Sequence, residues 1–214
     1  MNRKKLKTVL SLFITVLIAQ TNYAQTVTIG TQVWMTKNLN VDKFRNGDPI
    51  PQAKSNTEWE AAGKNKQPAW CYFDNDPANG AKYGKLYNWY AVNDSRGLAP
   101  AGYHIPSDGE WTQLTDYLGG IEKAGAKMKS TSGWVENENG NGNGTNLSGF
   151  SGLPGGYRAS NGTFRYLGMN SSWWSSSGVN SSNAWGRDLR SSRSSLTRTE
   201  FDKKSGVSVR CLKY

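Results

Sequence analysis

The sequence predicts an α+β domain, and three observations carry that reading. Two capping-box signatures, Ser55 with Glu58 and Ser107 with Glu110, open helices in the first half. The second half holds short runs with strand-like alternation, such as Val207, Val209 and Cys211 set between Ser208, Arg210 and Leu212. Nine tryptophans and 24 glycines are spread along the chain, so bulky anchors are joined by tight turns. Helices first and antiparallel strands after is the α+β pattern.

The first 24 residues are of another kind. "MNRKKLK" is basic, "TVLSLFITVLIA" is apolar but too short to span a bilayer, and "TNYA" ends on a small residue before Gln25. Residues 1–24 read as a secretory signal, leaving residues 25–214 as one mature domain without a membrane span. Loss of the segment's four basic residues lowers the formal charge from +10 to +6. The remaining Lys and Arg are scattered, with no basic stripe or nucleic-acid module, so nucleic acid is not an expected partner. The expected location is secreted, either periplasmic or extracellular.

"TVTIGTQVWMTKNLNV" opens the domain as two strands turning at Gly30-Thr31. "SNTEWEAAG" starts a helix at Ser55. In "PSDGEWTQLTDYLGG", Ser107 is the cap, Trp111, Leu114 and Leu118 form one apolar stripe, and Gly119 is the stop. A weaker helical piece follows around Lys123–Lys129. "ENENGNGNGTN" reads as an exposed loop. "GLPGGYR", "SSWWSS", "NAWGRDLR", "SLTRTEF" and "VSVRCLKY" read as short strands, the last half-buried with its cysteine inward.

Cys71 and Cys211 are the chain's two cysteines. An even number in an exported chain predicts a disulfide between them, worth about 2–5 kcal/mol. With the lone His104 they cannot complete a four-ligand zinc site. "DNDPANG" begins like a calcium loop, but the position for its bidentate glutamate holds Lys85. Asx turns are the expected role there, and no metal or cofactor is predicted. His104 lacks a serine elbow or a nearby cysteine, Glu110 is used by its capping box, and Asp108 suits the positive end of a helix. No catalytic residue is predicted.

"TIGTQVWMTKNLNV", "YGKLYNWYAV", "GLAPAGYHIPSDGEWTQL", "GFSGLPGGYR", "GTFRYLG", "WWSS" and "GVSVRC" follow one another from about Thr28 to Lys213. Together they resemble the Fibrobacter succinogenes major paralogous domain family. That resemblance implies a bacterial envelope or secreted domain with no established activity. "HIPSDGEWTQL" and "GVSVRC" are also similar to formylglycine-generating, sulfatase-modifying enzymes. This fainter likeness implies a C-type-lectin-like fold: a twisted antiparallel sheet flanked by two or three helices, with long loops on one side. The enzymes' reactive cysteine pair has no counterpart in "NAWGRDLRSSRSSLTRTEFDKK", so an enzyme of that type would have lost its nucleophile.

These residues lead to a non-enzymatic recognition or adhesion module, with a glycan or another envelope protein as partner. A structural role in assembly of the envelope is the alternative. Adjacent side chains on a strand diverge, so one of Trp173 and Trp174 is expected in the core and the other at the loop-rich face. Which one faces outward depends on register. The fold likeness would bring Tyr157, Arg158 and Arg187 to the same face as candidate ligand-binding residues.

Overall fold

The computed structural model describes residues 25–136, 140 and 142–214. The expected secretory signal at 1–24 lies outside the described residues, as do positions 137–139 and 141 of the Asn/Gly tract. Helices and antiparallel strands alternate along the first half, and strands dominate the second. The chain is therefore α+β. Among the described residues, no helix is long and apolar enough to cross a membrane.

The order of elements is β1 (Thr26–Ile29), β2 (Gln32–Met35), α1 (Asn56–Lys64), β3 (Trp70–Cys71), α2 (Pro77–Tyr83), β4 (Leu86–Tyr87) and α3 (Trp89–Val92). It continues with β5 (Tyr103–His104), α4 (Asp108–Tyr117), α5 (Ile121–Met128), β6 (Tyr157–Arg158) and β7 (Phe164–Arg165). The last elements are β8 (Asn170–Gly178), β9 (Asn183–Arg190), β10 (Leu196–Asp202) and β11 (Leu212–Lys213). They form a four-stranded sheet in the order β1-β2-β11-β5, a three-stranded meander β10-β9-β8, and two small pairs, β3-β4 and β6-β7.

Both capping boxes are present. Ser55 and Ser107 each accept a hydrogen bond from the backbone of the glutamate three residues on, whose carboxylate reaches back to the cap. Each box satisfies N–H groups that a helix start would otherwise leave unpaired. Trp111 and Leu114 are buried on α4, Leu118 caps it, and Gly119 leaves it at φ +98°, a conformation that glycine adopts without steric cost. In "DNDPANG", the Asp76 carboxylate caps α2 by accepting from the Ala78 N–H at 2.9 Å.

The terminal segment differs from its expected half-buried strand. Every residue from Ser205 to Leu212 is buried, on both sides of the chain. The reason is that this segment threads between the sheets rather than lining one of them. Gly206 bridges Arg158, Val207 bridges Tyr87, and Ser208 bridges Trp173. Farther on, the carbonyls of Val209 and Cys211 accept from the backbones of Leu39 and Met35. Only Leu212 and Lys213 are ladder residues of a sheet.

The disulfide expectation is corrected here. Cys71 and Cys211 are both free and buried. Cys71 pairs across from Leu86 and packs with Trp59 and Phe73, whereas Cys211 belongs to the cluster of Met35, Leu39 and Tyr87. Two thiols committed to separate apolar clusters have no common space in which to bond. Burial pushes each thiol up to about 12, at Cys71 against the opposing pull of Arg158.

Candidate functional site

The paired indoles diverge, but neither reaches solvent. Trp173 and Trp174 are both 0% exposed. Trp173 packs among Trp34, Trp111 and Phe150, with its ring centroid 5.4 Å from that of Phe150. Its Nε1–H donates to Asn38 Oδ1 at 2.8 Å. Trp174 enters the cluster of Tyr87, Val207 and Val209 and donates to the Tyr87 carbonyl at 2.8 Å. The expectation of an outward-facing indole is thus overturned, because β8 is covered on both faces at the tryptophan pair. Of the nine tryptophans only Trp185 keeps partial exposure, and the Arg198 guanidinium lies 3.2 Å over its ring.

Arg158 and Arg187 are interior as well. Arg158 donates to the carbonyls of Gly162 and Ala53 and to Asn56 Oδ1, and its guanidinium lies over the rings of Trp59 and Phe164. Arg187 Nη1 donates to Asp108 Oδ1 at 2.7 Å, and Nη2 donates to the Asp108 carbonyl and Thr112 Oγ1. These arginines join elements; they do not meet at a ligand face. Of the five proposed residues, only Tyr157 lines an open cleft.

That cleft, of about 410 Å³, lies between the β6-β7 hairpin and one face of the β8-β9-β10 meander. The face is defined by cross-strand register. Asn170 opposes Arg190, and Ser172 opposes Asp188. Asp188 and Arg190 are two apart on β9 and share a face, while Arg187 points to the other side toward α4. Gly186 continues the same face without a side chain. A Cβ there would lie 2.8 Å from the Phe201 ring, so its absence lets Phe201 lie across the sheet.

The cleft has aromatic walls and a polar pair. Tyr157 stands 5.8 Å from Tyr166 and 6.2 Å from Phe201, between ring centroids. Tyr166 is 46% exposed and has φ +61°, a left-handed conformation unusual for an aromatic residue. The turn maintains it: the Tyr166 carbonyl accepts from the N–H groups of Met169 and Asn170. Such strain costs on the order of 1–3 kcal/mol and collects at binding sites.

On the polar side, buried Asp188 accepts from Ser172 Oγ at 2.7 Å and from Arg190 Nε at 2.8 Å. Arg190 is thereby anchored through one nitrogen, with about half of its side chain exposed. The hydrogen bond from its guanidinium to Asp188 raises the Arg190 pKa, so it remains a cation. Burial raises the Tyr157 phenol, with Tyr166 adding to it and Arg165 opposing. A neutral phenol, a fixed carboxylate and a fixed guanidinium together suit hydrogen bonding to hydroxyl or carboxyl groups beside a flat apolar surface.

His104 serves the other end of the fold. Its Nε2 lies 2.7 Å from Glu110 Oε1, and its ring stacks on Tyr214 at 4.7 Å. Burial works to raise the Glu110 pKa, but the Ser107 backbone N–H and His104 outweigh it and hold the carboxyl below its ordinary range.

The sequence model of the Fibrobacter succinogenes major domain matches residues 27–213. The chain belongs to that family. No curated protein and no solved structure matches it. In this Fibrobacter succinogenes major domain three of the sequence blocks supply scaffold. "HIPSDGEWTQL" contains the cap of α4, "WWSS" fills two cores, and "GVSVRC" is the threaded segment. The cleft takes Tyr157 from "GFSGLPGGYR" and Tyr166 from "GTFRYLG", and its polar pair from outside the blocks. Tyr166, Asp188, Arg190 and Phe201 escaped the sequence reading, although the i, i+2 spacing of Asp188 and Arg190 in "RDLR" was a signal for their common face.

Proposed function

We propose that this chain is an exported, non-enzymatic recognition module of C-type-lectin-like architecture that binds glycans in the Tyr157–Tyr166–Phe201 cleft. The observation that carries the reading is the pairing of exposed aromatic surface with the anchored Asp188–Arg190 pair in one concavity. A sugar ring offers an apolar face to Tyr166 and hydroxyls to the polar side. Export into the periplasm or cell exterior rests on the basic and apolar composition of residues 1–24. The non-enzymatic reading draws support from the two thiols, which burial holds far from the thiolate form.

A glycan array on the mature protein, run with and without calcium, tests this function. Binding of a defined glycan class that is lost in Tyr166→Ala supports it. No binding to any glycan, or binding indifferent to Tyr166→Ala, refutes the assignment of the cleft.

An assembly role in the envelope is favoured by a separate observation. Val135, Tyr166, Leu167 and Met169 are all exposed apolar residues, close together along the cleft and its turn. Contiguous apolar exposure marks contact surfaces for proteins as well as ligands. Concentration-dependent self-association in analytical ultracentrifugation, abolished by Met169→Glu, would support that role.

A further inference from the structure

A second cavity, of about 150 Å³, opens where residues 36–40 pass α2. Its lining includes Lys37, Asn38, Lys82, Ser151 and Arg210. Arg210 is 1% exposed, yet no carboxylate pairs with it among the described residues. Its Nη1 donates to the carbonyls of Met35 and Phe150 at 3.0 and 2.6 Å. Its Nε and Nη2 both donate to Asn38 Oδ1, at 3.0 and 2.8 Å. Guanidinium has five N–H donors, so one on Nη2 is left without a partner among the described residues.

Carbonyls and the Phe150 ring, 4.2 Å away, solvate this cation but do not neutralise it. A buried charge without a counter-charge is costly. Burial lowers the Arg210 pKa to about 9, which still leaves it charged at neutral pH. Lys37 and Lys82, both exposed, add positive charge at the rim. Of the last-turn carbonyls of α2, those of Tyr83 and Gly80 are engaged: Asn38 Nδ2 donates to the first at 2.9 Å and Asn40 Nδ2 to the second at 3.4 Å. Ser151 lines the cavity at φ +56°, held by Asn146 through its N–H and its hydroxyl. A water's share of liquid volume is about 30 Å³, so the space suits a group of a few heavy atoms.

We propose that this cavity is an anion site, taking one carboxylate or tetrahedral oxyanion between Arg210 and the Lys37–Lys82 rim. The site is separate from the aromatic cleft, and its existence does not depend on glycan binding.

The test is thermal unfolding and isothermal titration of the purified protein with acetate, phosphate or chloride at constant ionic strength. A saturable rise in Tm with acetate, phosphate or both is expected, beyond the response to chloride. A response to acetate alone identifies a carboxylate ligand, and one to phosphate alone a tetrahedral oxyanion. Replacing both lysines, Lys37→Ala with Lys82→Ala, should weaken binding about tenfold, in keeping with the loss of two partly screened ion pairs. Arg210→Gln also strips two backbone carbonyls of their donor and puts the fold at risk, so the lysine pair decides. Equal responses to all three anions, no saturable response, or an affinity unchanged in the double variant would overturn the proposal.

Discussion

Arg187 Nη1 lies 2.7 Å from Asp108 Oδ1, tying the first residue of α4 to the middle strand of the meander. Arg198 closes on the same carboxylate at 2.8 Å from the neighbouring strand. Burial works to raise the Asp108 pKa, but the hydrogen bonds from Arg198 and Arg187 prevail and hold it below the usual range. A carboxyl depressed in the folded state contributes stability above its unfolded pKa of about 3.9, and loses it as pH falls through the folded value. Urea unfolding at stepped pH should show stability declining below about pH 4. Asp108→Asn should cost about 3 kcal/mol at pH 7, because it leaves buried Arg187 without its counter-charge, and should flatten the acid limb.

Trp173→Ala and Trp174→Ala should each destabilise by about 3–5 kcal/mol, as expected on emptying a core aromatic site. Equilibrium denaturation measures both. A near-neutral result for either would contradict the burial of both rings.

Tyr166 offers a test of backbone strain independent of any ligand. Tyr166→Gly should be more stable than Tyr166→Ala by about 1 kcal/mol, since glycine occupies the left-handed region freely and alanine does not. Equal stabilities of the two variants would show that the turn does not hold φ +61°.

Cys71 and Cys211 should resist a thiol reagent in the native protein and both react once it is unfolded. Reducing agent should leave the Tm unchanged. A thiol count below two after unfolding without reductant would restore the disulfide.

Helices α1 and α4 were legible in the sequence because their determinants are local, whereas α2, read as Asx turns, and α3 were not. Ser55–Glu58 and Ser107–Glu110 act within one turn, and Gly119 stops α4 by its own conformation. Strands β8, β9 and β10 were also legible from their composition, and the divergence of adjacent indoles follows from the pleat. Burial on the second face was not, because it depends on what other elements lay against it. Trp174 is covered by Tyr87 and by the threaded segment, both remote in sequence. The same limit hid the candidate site. Tyr157 and Arg158 are neighbours, but one strand step sends the first to the cleft and the second to Ala53 and Asn56.

The threading of Gly206 to Cys211 between sheets also bears on when the fold can form. Arg210 meets the Met35 carbonyl across 175 residues of chain, and Leu39 and Tyr87 pair with the same segment. Such non-local closure pays its loop entropy before any contact rewards it, which places folding in the slow range of milliseconds to seconds. A chain emerging from its N-terminus therefore holds Met35, Leu39, Tyr87 and Trp174 without their common partner until residues 206–211 have been made. During that interval the apolar slot between the sheets stays unfilled.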